Sequence, residues 1–271
     1  VEHGGELWNF YSAFDGKTWH TALAKSADGK TWTRVSGKVL SPDPATWEGN
    51  YIAANGDVVR VKDEWWMWYQ AGPMGKTRIG LAKSKDGVKW VKHPEPVLDF
   101  GPRGAWDEIS LGDADGYVGE DGWFYLYYLG EDRARRQRLG VARSRDGVEW
   151  EKLRTNPVLE IGKIGAFDEQ GLGEPNVWRA ADGEYWMMYT GRNRKEIRRM
   201  GLARSADGVK WQKVSAPVVA GASWWNTQVV CDASVIVKGD RVQVWYGGGT
   251  VAHPAERING QIGYGELNLI Q

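Results

Sequence analysis

Apolar positions come in short runs along this chain, and aromatic residues dominate them. Segments such as 65–69 and 123–128 alternate or cluster Trp, Tyr, Phe and Met, with Gly, Asp, Asn and Pro at their ends. Runs of this length and composition predict β-strands. No stretch of ten or more residues carries helical periodicity with helix caps, so helices are not expected. The string Ser-x-Asp-Gly-x-x-Trp occurs four times, at residues 26–32, 84–90, 144–150 and 205–211. Its Asp-Gly pair is a tight-turn signal between two strands. The Ser-to-Ser steps are 58, 60 and 61 residues.

Other features repeat in register with the turn. A small apolar stretch precedes each copy, as in Gly80-Leu81-Ala82 and Gly201-Leu202-Ala203. Val-Leu or Val-Val follows, and then an aromatic beside an acid or amide: Trp47-Glu48, Trp106-Asp107, Phe167-Asp168 and Trp225-Asn226. Each unit therefore reads as four antiparallel strands, and units of this period predict the blades of a β-propeller. Counting them gives an all-β, five-bladed propeller in one domain, with blades near 1–40, 52–98, 111–159, 172–219 and 230–271. Both end fragments contain second and third strands, so they cannot be one split blade. The first blade lacks its innermost strand. The start Val1-Glu2-His3-Gly4 has no initiator Met, and removal of a preceding segment is expected. The alternative is that residues 268–271 fill the innermost position.

Composition narrows the class. There are 17 Trp in 271 residues, and 35 basic residues balance 35 acidic ones. A neutral chain has no global electrostatic reason to bind nucleic acid or an anionic membrane. No apolar run approaches the length of a membrane helix. One cysteine, Cys231, allows no intrachain disulfide. A monomer is expected. The compartment is left open between the cytoplasm and secretion with the signal removed.

Aligning the units on their second strands brings Asn55, Asp113, Glu174 and Asp232 into one column. First strands line a propeller's axis, so these side chains should converge at one mouth of the channel. Three carboxylates facing one another raise each other's pKa, and arrangements costly in this way mark function more often than decoration. A ring of solvated polar groups is the plainer reading. Glycoside hydrolysis needs one carboxyl kept protonated and one ionised.

Over nearly its whole length the chain resembles the five-bladed family 43 glycoside hydrolases and their relatives, which include arabinanases, arabinofuranosidases, xylosidases and fructan-cleaving enzymes. The strings that carry the resemblance are Gly-Leu-Ala-x-Ser-x-Asp-Gly-Val-x-Trp, Asn156-Pro157-Val158-Leu159 and Gly173-Glu174-Pro175-Asn176-Val177. The resemblance implies an inverting hydrolase with Glu174 as acid and Asp113 tuning it. The base it implies would fall just before Val1. A plant or microbial glycan, oligomeric or polymeric, is the implied partner.

The loops that share the column's face carry Trp47, Trp106, Phe167, Trp224 and Trp225 beside Asp107, Asp168 and Asn226. Aromatic faces and carboxylates suit a sugar, so these residues are candidate contacts, together with Asn55 and Asp232. The four turn Trp (32, 90, 150 and 211) read as structural. Arg133 and Arg192 lead two arginine-rich loops. Either they pair with neighbouring acids, or they bind an anion, which would suit a mannoside phosphorylase. A non-catalytic sugar-binding propeller is the third reading.

No cofactor is required. An axial cation such as calcium, held through water by Asp232 or Asn55, is implied by the resemblance, but the oxygen ligands are few. The four His (3, 20, 93 and 253) show no metal-ligand spacing, and no Ser/His/Asp triad can be argued from their spacing. His253 lies in a long loop on the candidate face.

Overall fold

A computed structural model describes residues 1–239, 241–252 and 260–268. His253 and residues 269–271 lie outside the described residues. Among the described residues there are 19 strands and no helix. They follow the predicted repeats. The first repeat holds β1 (Glu2–His3), β2 (Glu6–Phe14), β3 (Trp19–Ser26) and β4 (Thr33–Leu40). The second holds β5 (Ile52–Val61), β6 (Glu64–Gly72), β7 (Arg78–Ser84) and β8 (Val91–Lys92). The third holds β9 (Ser110–Val118), β10 (Phe124–Glu131), β11 (Gln137–Ser144) and β12 (Glu151–Lys152). The fourth holds β13 (Gly171–Arg179), β14 (Tyr185–Arg192), β15 (Arg198–Ser205) and β16 (Gln212–Lys213). The fifth holds β17 (Val229–Lys238), β18 (Arg241–Gly249) and β19 (Gln261–Asn268). By packing, the chain divides into two compact units. One is built from residues 1–126, 130–133 and 142–151, the other from 127–129, 134–141 and 152–271.

The expectation that the first repeat lacks its innermost strand needs one refinement. A two-residue β1 is present and pairs with β2, Glu2 opposite Leu7 and His3 opposite Glu6. The hairpin turns through Gly4 and Gly5, both at positive φ, as a two-residue turn of matching twist requires. Val1 extends the ladder: its carbonyl accepts from Trp8 N–H at 2.8 Å.

The Ser-x-Asp-Gly turn is built identically four times. In the first copy Asp28 Oδ1 accepts from the backbone of Lys30 and Thr31 at 2.8 and 2.7 Å, and Ser26 Oγ accepts from Gly29 N–H at 2.8 Å. Trp32 Nε1 then closes the turn on the Gly29 carbonyl at 3.2 Å. The turn glycines have φ near +72°, which favours residues without Cβ. They also have no room. A Cβ on Gly147 would lie 2.6 Å from the Trp66 ring, and one on Gly87 2.8 Å from Trp8. The second, third and fourth turns therefore dock under aromatics of the preceding repeat, which is where many of the tryptophans are used. Trp8 stacks on Trp65 at 4.9 Å, and Trp66 stacks on Phe124 at 5.5 Å. The turn tryptophans, read as structural, join this packing, with Trp150 edge-on to Trp68 at 5.6 Å.

These turns make a pH prediction. Backbone N–H groups, chiefly that of the residue three on, hold Asp28, Asp86, Asp146 and Asp207 below their usual pKa. A folded-state pKa below the unfolded value near ~3.9 stabilises the fold above that pH, and the gain is lost as pH falls through the folded values. Urea midpoints should thus be level above about pH 5 and fall steadily below about pH 4. A flat profile to lower pH would remove this role for the turns.

Candidate active site

The column residues share a backbone state as well as a register. Asn55, Asp113, Glu174 and Asp232 have φ of 47°, 48°, 52° and 53°. Only three other described non-glycine residues have positive φ, so the column is singled out. The cause is a repeated break in strand pairing. Ala54 pairs with Gln70 and Asp57 with Trp68, which leaves Asn55 and Gly56 opposite Tyr69 alone. Glu174 and Pro175 are left opposite Tyr189 in the same way, and Asp232 and Ala233 opposite Tyr246. Such a bulge re-aims one side chain, and a non-glycine residue in this region stores strain. Fold stability gives no reason to repeat it at four polar residues.

In the first unit, Asn55 is fixed from several sides. Ser12 Oγ donates to its Oδ1 at 2.5 Å, and its own backbone N–H donates to Ser12 Oγ at 3.2 Å. Its Nδ2 donates to Gln70 Oε1 at 3.3 Å and to Asp113 Oδ1 at 3.4 Å. Gln70 in turn donates to Thr77 Oγ1 at 2.9 Å, and Thr77 donates to the Leu111 carbonyl at 2.7 Å. A chain of hydrogen bonds thus ties Asp113 and its strand to the second repeat.

In the second unit, Glu174 Oε2 accepts from Thr190 Oγ1 at 2.5 Å and from the Asp232 backbone N–H at 2.9 Å. The Cys231 thiol donates to Asp232 Oδ2 at 3.1 Å. Burial pushes this thiol well above its usual pKa, and Asp232 and Glu174 add to the shift. It is therefore an inert thiol, as its place on an inner strand suggests. Arg198 lies beside all three groups. Burial works against its charge, but Glu174, Cys231 and Asp232 more than offset this and raise its pKa. In the sequence Arg198 is one of several arginines in the fourth repeat's loop, and nothing there separates it from its neighbours.

Glu174, Cys231 and Asp232 present ligand atoms within 4.8 Å of one another. As a cation site the set fits poorly. Its thiol stays protonated, it holds two carboxylates where calcium takes six to eight oxygens, and Arg198 already brings a fixed positive charge. No step below uses a cation.

A second column lies two residues beyond the first, and the repeats alone did not single it out. Asp57 Oδ2 accepts from Gly116 N–H at 3.2 Å, and Asn176 Oδ1 from Val235 N–H at 3.1 Å. Each is a clasp from one repeat to the backbone of the next. Burial pushes the Asp57 carboxyl up.

The structure redirects several loop candidates. Asp107 and Asp168 are each only 2% exposed, as are Glu48 and Asn226. Lys213 Nζ sits 2.5 Å from Asp168, and Tyr189 donates to the same oxygen at 3.3 Å. Glu48 repeats this arrangement with Lys92 and Tyr69, both at 2.5 Å. Glu48 and Asp168 are thus buried and paired within the blade. The paired aromatics pack likewise. Trp47 lies against the core around Trp8 and Leu23. Trp106 covers Gly130, where a Cβ would meet its ring at 2.4 Å. Phe167 stacks on Tyr189 at 6.1 Å and Trp225 on Tyr246 at 5.8 Å. Trp224, by contrast, is 79% exposed. Removing one partner of a buried pair strands the other's charge, so Asp168→Ala should cost about 3 kcal/mol of stability. Denaturant unfolding measures it. A normal midpoint with a raised KM would return Asp168 to the ligand contacts.

The arginines pair with acids. Arg133 meets Glu108 at 3.0 Å, and Arg194 meets Glu169 at 3.7 Å in the equivalent position of the next repeat. Arg192 binds both oxygens of Glu196, at 2.9 and 2.8 Å, and reaches Gln137 at 2.9 Å.

The chain is similar to several known proteins. The Escherichia coli sucrose-6-phosphate hydrolase is 29% identical over 217 residues, covering 75% of this chain and 42% of that protein. A 1,2-beta-oligomannan phosphorylase of Thermoanaerobacter is 30% identical over 132 residues, covering 44% and 41%. This chain thus spans less than half the length of either relative. Among solved structures, a glycoside hydrolase superposes with a TM-score of 0.80 at 20% identity, over 98% of this chain and 84% of that one. A thermostable family-43 glycoside hydrolase superposes at 0.74 and 19%, over 100% and 88%. At these identities the structures show a common all-β fold. The model of the glycosyl hydrolases family 32 N-terminal domain matches residues 45–241, a span that contains all four column residues, and the chain belongs to that family.

Proposed function

We propose that this protein hydrolyses O-glycosidic bonds with the left-handed column as its catalytic centre. Glu174 protonates the leaving oxygen. The resemblance to family 43 gives Asp113 the tuning of that acid. Asn55 and Asp232 bind sugar hydroxyls, and Trp224 offers an open aromatic face. Arg198 offsets the charge of Glu174 and Asp232. The observation that carries the reading is the shared positive φ of four polar residues in register. Strain repeated at equivalent positions needs a return outside folding. The reaction is expected to invert, with a carboxylate base and acid about 6.5–9.5 Å apart around the water.

Phosphorolysis is the second reading, favoured by the likeness to the Thermoanaerobacter phosphorylase. The pairing of Arg133, Arg192 and Arg194 with glutamates speaks against those arginines as its phosphate site. A panel of arabinofuranosides, xylosides, fructosides, mannosides and uronides, assayed with and without phosphate, tests both. Turnover independent of phosphate is expected, with inversion at the anomeric carbon seen by NMR. Strict phosphate dependence with release of a sugar phosphate would establish the phosphorylase. Sugar binding without turnover in either buffer would make the protein a lectin.

A further inference from the structure

The first repeat differs from the others at its outer edge. Its last strand, β4, runs for eight residues, whereas β8, β12 and β16 have two each. The sequence explains the difference. Residues 33–40 contain no proline, while the equivalent segments carry Pro94 and Pro96, Pro157 and Pro217. Proline removes the N–H that a ladder needs. The longer strand walls a cavity of about 220 Å³ lined by Tyr11, Ala13, Phe14, Asp15, His20, Arg34, Gly37 and Lys38. Tyr11 and Ser12 point to opposite sides of β2, and Ser12 serves Asn55, so this cavity is not part of the column.

The cavity has a fixed wall and free groups. His20 is 6% exposed and held at both nitrogens, by Ser41 Oγ and by Asp15 Oδ2, each at 2.9 Å. Ser41, His20 and Asp15 thus stand in line, an arrangement their sequence spacing did not suggest. Lys38 Nζ meets the same Asp15 oxygen at 2.7 Å, and the backbone of Lys17 and Thr18 donates to the other. Lys38 above all, then the Thr18 N–H and His20, hold Asp15 far below the usual carboxylate range. Its single negative charge is consumed by this wall. Arg34 and Tyr11 also line the cavity, and neither side chain has a hydrogen-bond or ion-pair partner among the described residues. The formal balance of Arg34, Lys38 and Asp15 is therefore positive by one charge.

We propose that this cavity is a second binding site, taking a monosaccharide-sized anion whose carboxylate or phosphate pairs with Arg34. The volume lies below that of drug-sized pockets and is on the scale of a single sugar ring. Guanidinium recognises either anion through two parallel hydrogen bonds. Tyr11 and Phe14 supply ring faces for the C–H side of a sugar, and the Tyr11 hydroxyl supplies a polar contact. The proposal stands independently of the reaction assigned to the column.

Calorimetric titration of the protein with glucuronate, glucose 6-phosphate and neutral glucose tests it. At least one anion should bind, with glucose at least about tenfold weaker. Comparing the two anions identifies the source of the charge. Arg34→Gln should weaken binding about tenfold or more. Gly37 lines the cavity, an added Cβ there has no atom within 4 Å and φ is not positive, so Gly37→Leu adds bulk at the rim without straining the backbone. That variant should lose binding while keeping its thermal midpoint. Failure of both anions to bind, equal binding of glucose, or binding unchanged in Arg34→Gln would overturn the site.

Discussion

Glu174→Gln should lower kcat by about 10²–10⁴-fold and leave binding of the sugar nearly unchanged. The substitution is clean for a structural reason. Glu174 sits at φ 52°, and Gln keeps the same side-chain shape on that strained backbone. Its carbonyl oxygen can still accept from Thr190 and from the Asp232 N–H, the two donors now on Oε2. What is lost is the carboxyl proton. Substrate choice sharpens the test. A leaving group that departs without protonation does not need the acid. The variant should be far less impaired on a nitrophenyl glycoside than on an alkyl glycoside or a natural oligosaccharide. Equal losses on both would point to misplacement of the substrate, and an unchanged rate on all would remove Glu174 from the chemistry.

Asp113→Asn should reduce kcat by about 10²–10³-fold with little change in stability. Asn tolerates the left-handed region about as well as Asp, so the φ of 48° is no obstacle. The contact from Asn55 Nδ2 at 3.4 Å can be kept by the new carbonyl. The variant therefore subtracts one negative charge and little else. Steady-state kinetics across pH read the effect. A lower plateau with a displaced acidic or basic limb is expected if Asp113 sets the charge around the acid. A change in KM alone would make it a binding residue. Arg198 gives the contrast, since its removal would leave Glu174 and Asp232 facing each other without compensation.

The fold was legible because it is periodic. A turn string at steps of 58 to 61 residues fixes each third-to-fourth strand connection, and the aromatic runs fix the second strands. The column was legible for the same reason, since repeat register carries side chains to equivalent places. The roles of Glu174 and Asp113 come from the resemblance to family 43 and not from register. The loop candidates show the limit. Trp106-Asp107 and Phe167-Asp168 have a composition suited to sugar, but the same composition suits a buried acid under a ring and beside a strand-four lysine. Only burial, at 2% for both acids, separates the two readings. Trp224 and Trp225 are adjacent in the chain and opposite in fate, one open to solvent and the other stacked on Tyr246.

The sequence by itself determined the repeat, the strand order within it and the four polar positions brought into register. Those depend on local chemistry: turn residues, strand formers and period. The tertiary structure decided the rest. It put the column residues at positive φ, because a bulge arises between two strands and is not a property of either alone. It turned the loop acids inward, through lysines 44 and 45 residues further along the chain. It assembled Arg198 beside Glu174, and Arg34 with Tyr11 around a cavity, from segments whose spacing carries no signal. Side chains that meet only across strands leave no pattern along the chain, and such meetings set where charge, burial and open space fall.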